Sequence, residues 1–129
     1  MPLANRTIDP VEEEQLLDAI DRWVVREVQP IVKDYDHADK WPAKTVEQMQ
    51  DLGLFGATIS PEYGGLGLPA STYSKIVMRI SRDWMAVTGI FNSHLMLALL
   101  IEKFGTEGQK LEWLPKLATG EIRGGLALP

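Results

Sequence analysis

The chain has 129 residues, 45% hydrophobic and 24% charged, with a net charge of −5 and no cysteine. This is ordinary globular composition at a length that fits one domain, able to bury roughly 65–70% of its unfolded surface. The acidic balance argues against nucleic acid or an anionic membrane as partner; the absence of thiols excludes disulfides, cysteine nucleophiles and thiolate metal sites, and His37 and His94 are too few and too far apart to suggest zinc.

The start of the chain, "MPLANRTIDP", has no apolar leader, which predicts a soluble, cytoplasmic protein. The longest apolar run, Leu95 to Ile101, falls far short of the ~20 residues of a membrane span. A first helix is announced by Asp9 as cap, Pro10 at the first helical position and Glu12 completing an Asp-x-x-Glu box. Glu12, Glu13 and Glu14 read as a solvated helix start. Leu16, Leu17, Ile20, Trp23, Val24 and Val28 then form one apolar stripe, which Pro30 should kink or interrupt. Pro42 opens a short second helix carrying Val46, Met49 and Leu52, and Gly53 ends it as a left-handed cap.

"LFGATIS" reads as a buried, extended connector. The glycine loop "SPEYGGLGLPA" lacks the Lys-Ser/Thr of a phosphate loop and the GxGxxG of a dinucleotide fingerprint, so it reads as a turn that needs positive φ and close backbone approach. Ser71 is the candidate cap of a third helix with Tyr73, Ile76, Val77 and Ile80 inside. A fourth helix, from about Met85 to Phe104, is apolar around nearly its whole circumference and is predicted to be buried on all sides. The remaining small helices cannot easily surround such a rod, so its cover is expected from more protein or from a partner. Thr106 and Gln109 form a capping box for a fifth helix with Leu111, Leu114 and Leu117, ended by Pro115 and Gly120. "GGLALP" has no helical period and looks like the start of a strand. The fold class is therefore all-α, an up-and-down or orthogonal bundle of about five helices over residues 1–121. A strand-like tail, 122–129, would lead into a β-domain, and its open edge is expected to pair with another chain or stay disordered.

Three stretches carry a family resemblance: "LGLFGATISPEYGGLGL" (Leu52 to Leu68), "FGTEGQKLEWLPKLATGE" (Phe104 to Glu121) and the final "GGLALP". In this order they resemble the N-terminal helical domain of the acyl-CoA dehydrogenase family, over essentially all of this chain but about the first third of a family member. The resemblance implies an FAD-dependent enzyme that dehydrogenates an acyl-CoA thioester to the enoyl-CoA. It also implies assembly as dimers or tetramers and electron transfer to an electron-transfer flavoprotein. The family's catalytic glutamate belongs to a C-terminal domain outside this sequence, so no catalytic residue is assigned.

The resemblance places Phe91, Asn92, Leu95, Met96 and Leu99 along one wall of the acyl pocket, with plain core packing as the alternative for Leu95 and Leu99. Asn92 needs a partner or a cavity in so apolar a helix. Ser93 and His94 extend it into a polar belt, with His94 as a candidate general base. The resemblance also places Leu126 and Leu128 against FAD. Pro129 stands where the family has threonine and offers neither hydroxyl nor N–H, so that contact is lost. Two other readings share these residues: a flavin-dependent monooxygenase or oxidase on the same domain, and a non-catalytic helical module for oligomerisation.

Overall fold

The computed structural model describes residues 2–129, and among these it is all-helical. Its five α-helices are α1 (Pro10–Trp23), α2 (Val32–His37), α3 (Ala43–Asp51), α4 (Ala70–Phe104) and α5 (Glu107–Thr119). α4 is the axis of the bundle and packs against both α1 and α5. The core is one cluster in which Ile20, Val28, Met49, Phe55, Ile80 and Phe91 are almost completely buried. Each such side chain contributes about 1.5–3 kcal/mol by leaving water.

Asp9 caps α1 as the sequence predicts, its carboxylate accepting from the amides of Val11 and Glu12. Pro30 has the predicted effect on the stripe. It has no N–H to return to the carbonyl four residues back, and its ring would strike that carbonyl. The helix widens over Val24–Val28 instead, Gln29 N–H donating to the Val24 carbonyl five residues back, and then breaks before α2. Glu13 is more than a solvated helix start. It accepts from Thr72 (2.7 Å) and Lys75 (2.9 Å) and so ties α1 to α4.

The connector is buried, as expected, but it is not extended. Leu54–Gly56 form a 3-10 turn, because the short path from α3 to the glycine loop leaves no strand to pair with. The loop instead folds back on the connector: Leu66, Gly67 and Leu68 donate to the carbonyls of Gly56, Ile59 and Ala57 at 2.8–2.9 Å. That doubling-back is why the loop is rich in glycine. A Cβ on Gly65 would lie 2.0 Å from the Ile59 carbonyl oxygen.

The third and fourth predicted helices are one element, α4, broken at Trp84 (φ −151°, ψ 86°). The break falls where the sequence puts the boundary. Ser81 donates to the Thr88 hydroxyl, which donates to the Met85 carbonyl, so two side chains bridge the gap. Ser71 is not the cap; the helix starts directly after Pro69 with no side-chain cap. α4 is long and apolar enough to cross a membrane by length and composition, yet here it supplies the bundle's core. It is not buried on all sides: Met85, Met96, Leu99, Leu100 and Phe104 form an open face. The helices of this chain cover only the opposite side.

α5 opens with the predicted reciprocal capping box of Thr106 and Gln109 and closes at the left-handed Gly120. Pro115 does not end it. This proline lies on the exposed side, where water can serve the carbonyl it leaves without a helical donor. Residues 123–129 are neither helix nor strand.

Candidate functional site

The stretch Phe91–Leu99 splits into two faces at helical spacing. Phe91 and Leu95 point into the core, with Phe91 fully buried and Leu95 at 3% exposure. Asn92, Met96 and Leu99 lie four and three residues apart, hence on one side of the helix, and all are exposed. The wall the sequence points to is thus made of three outward side chains backed by two core residues.

Asn92 has the partner its polarity demands. The Tyr73 hydroxyl donates to its Oδ1 at 2.7 Å, and the Tyr73 ring meets Phe91 edge-on at 6.3 Å. Burial pushes the Tyr73 hydroxyl up to about 12, so it remains a donor throughout the physiological range. With its oxygen engaged, Asn92 presents its amide N–H groups along the open face, where Met96 Sδ lies 4.0 Å away.

His94 is fully buried, and both ring nitrogens have backbone partners. Nε2 lies 3.0 Å from the Phe55 carbonyl oxygen and 2.9 Å from that of Leu117. Carbonyls only accept, so Nε2 carries the proton and Nδ1 is the acceptor. Gly124 N–H donates to that Nδ1 at 3.3 Å. Burial holds the imidazole below its ordinary range, against the two carbonyl bonds that favour its charged form; the Arg123 charge lowers it further. A base must have a free lone pair facing a substrate, and this one is occupied by Gly124. His94 is therefore not a general base.

The same bond draws the two candidate groups together. The tail crosses α4 on the face next to the wall: Gly124 rests on Leu97 and His94, and Gly125 comes up beside Ser93. Leu126 and Leu128 follow, Leu128 at 86% exposure. The first half of the tail is thus fastened, not free. Its second half carries two exposed apolar side chains on irregular backbone whose N–H and C=O groups are not committed to helix or strand.

Sequence reasoning missed one buried polar cluster. The Arg6 guanidinium donates to the Thr58 carbonyl, to Ser60 Oγ (2.9 Å) and to Glu102 (3.2 Å), while the Ser60 hydroxyl donates to the same carboxylate. It joins the segment before α1, the connector and the end of α4. The groups are 42 to 96 positions apart, and no local signal links them.

This bundle, with its glycine loop doubled back on a buried connector, is the N-terminal helical domain of an enzyme family. Residues 10–121 match the family described as acyl-CoA dehydrogenase, N-terminal domain. The chain belongs to the acyl-CoA dehydrogenase family. It is 35% identical over 112 residues to (2S)-methylsuccinyl-CoA dehydrogenase of Cereibacter sphaeroides, covering 86% of this chain and 20% of that one. It is 33% identical over 118 residues to the short-chain specific acyl-CoA dehydrogenase of Clostridium acetobutylicum, covering 91% and 31%. Its structure superimposes on glutaryl-coenzyme A dehydrogenase in complex with glutaryl-CoA with a TM-score of 0.82 at 26% identity, over 93% of this chain and 31% of that one. The chain thus spans between a fifth and a third of the proteins it resembles.

Proposed function

We propose that this chain is the N-terminal domain of an FAD-dependent acyl-CoA dehydrogenase and that the open face of α4 forms one wall of its acyl pocket. The observation that carries the reading is an apolar helix face left open beside the tail, within a domain of this family. Met96 and Leu99 would line the acyl chain and exclude water, and each buried methylene gains about 0.8 kcal/mol. Asn92, oriented by Tyr73, would offer N–H donors at the polar end of that wall. Leu126 and Leu128 would pack on the flavin, which when bound supplies the acceptor for the hydride leaving the substrate's β-carbon. The base that takes the α-proton is not among these residues. An electron-transfer flavoprotein as electron acceptor and assembly into oligomers belong to the same reading.

The test uses the whole protein. Flavin absorption and acyl-CoA dehydrogenation with an electron-transfer flavoprotein are expected, with the 129-residue chain alone inactive. Met96→Trp should lower kcat/KM for longer acyl chains about tenfold more than for shorter ones, the scale of a filled methylene pocket. Turnover with oxygen as the sole acceptor would favour the oxidase or monooxygenase reading. Equal loss for all chain lengths would remove Met96 from the wall. A flavin-free protein without activity would leave the oligomerisation module.

A further inference from the structure

We propose that His94 is the positioning residue of the tail: locked as the Nε2–H form by two backbone carbonyls, it uses its remaining lone pair to pin Gly124 to α4. It thereby sets the direction in which Gly125–Pro129 leave the bundle. The significance of that direction rests on the function proposed above; the pin itself does not.

A neutral imidazole has one donor and one acceptor, and here both are engaged, the donor shared between Phe55 and Leu117 and the acceptor taken by Gly124. The roles are not interchangeable. Were the proton on Nδ1, it would face the Gly124 N–H, and Nε2 would present a lone pair to two carbonyl oxygens. The carbonyls of the connector and of the end of α5 thus select the tautomer that can hold the tail. Steric fit points the same way. A Cβ on Gly124 would lie 2.4 Å from Leu97 Cδ2, so the backbone lies directly on the helix at this residue. Upstream, Ile122 packs on the core and its N–H donates to the Lys116 carbonyl at 3.3 Å. The tail therefore has a fixed approach, a close crossing at Gly124 and, beyond it, exposed leucines.

The pin is also sensitive to protonation. A proton on Nδ1 replaces the acceptor with a second donor against Gly124. The connector and α5 face the ring with carbonyls, and the tail contributes the Arg123 cation, whose guanidinium stands 5.9 Å from the centre of the Phe55 ring. The carbonyls at Nε2 favour the charged ring and Arg123 opposes it, but none offers an acceptor at Nδ1, so a proton there releases Gly124.

Amide exchange of Gly124 in the full chain tests this. Asparagine places its oxygen near the position of Nδ1, and glutamine places its NH₂ near the position of Nε2. His94→Gln keeps the carbonyl bonds and removes the pin. Gly124 should then exchange about tenfold faster, the worth of one net hydrogen bond, with little change in Tm. His94→Asn should keep Gly124 protected while lowering Tm. In the unmutated protein, lowering the pH from about 8 to well below the ordinary histidine value of about 6.5, since burial lowers that of His94, should remove the protection of Gly124 beyond the intrinsic pH effect on exchange. This arm needs no variant to fold. The pin is overturned if Gly124 exchanges equally in the parent and His94→Gln, or if its protection is indifferent to pH. If His94→Gln frees Gly124 while flavin affinity of the whole protein is unchanged, the pin stands and the flavin role of Leu126 and Leu128 falls.

Discussion

Gly64 and Gly65 are neighbours in one loop, yet they are glycine for different reasons. Gly64 has φ +88° and open space where a Cβ would go, whereas a Cβ on Gly65 would sit inside the Ile59 backbone. Gly64→Ala should destabilise by about 1 kcal/mol, the conformational penalty alone. Gly65→Ala must part the loop from the connector and should lose about 3 kcal/mol, the range of severe overpacking. Urea denaturation of both variants measures the difference, and equal losses would mean that the loop does not depend on close approach. At the same scale, His94 links stability to pH. Its folded value lies below the ordinary value of about 6.5, so as pH falls the unfolded chain takes up the proton first. Its contribution is complete above the ordinary value and is lost as pH falls from there toward the folded value. His94→Gln should flatten that part of the stability–pH curve, which thermal melts at stepped pH would show.

At the scale of elements, what was legible in the sequence is what is decided within a few residues. The Thr106–Gln109 box is a four-residue signal, and it forms with bonds of 2.9 and 3.2 Å. Thr106→Ala should lower stability by about 1 kcal/mol, and a helix end that frays no faster by amide exchange would argue against the cap's importance. Pro30 was legible for the same reason, since a missing N–H acts on its own helix. The composition of the connector showed that it is buried, but whether it is extended depends on the loop that folds back over it. The division of Phe91–Leu99 into inward and outward residues was only half legible. Periodicity gives the faces, but in a helix apolar all round it does not say which face the bundle takes. His94 and Arg6 were illegible as fasteners because their partners come from distant segments, and for His94 they are mainly backbone carbonyls, which every residue has.

At the scale of the molecule, the open face decides how the chain behaves alone. Met85 and Phe104 on α4 and Leu111 on α5 are each more than 60% exposed. With Leu99 and Leu100 they leave large apolar side chains on the surface of both helices, and exposed apolar surface marks interfaces. The 129-residue chain by itself should sediment as more than a monomer at tens of micromolar. Leu100→Lys combined with Leu111→Glu should shift it toward monomer. A parent chain that is monomeric at that concentration would show that the face tolerates water without cover.

The Arg6 cluster bears on how such a domain can be handled. Residues 2–9 precede the first long helix and look expendable, as do those after α5. Yet Arg6 is a strap across the connector and the end of α4, and Gly124 is the matching fastening at the other end. A fragment trimmed to the limits of α1 and α5 would keep every α-helix and discard both fastenings. The connector would lose its outer tie, Glu102 would lose its cationic partner, and His94 would be left with an unanswered lone pair in the core. In this fold the hems hold the cloth, and the boundary of the working unit lies outside the boundary of its α-helices.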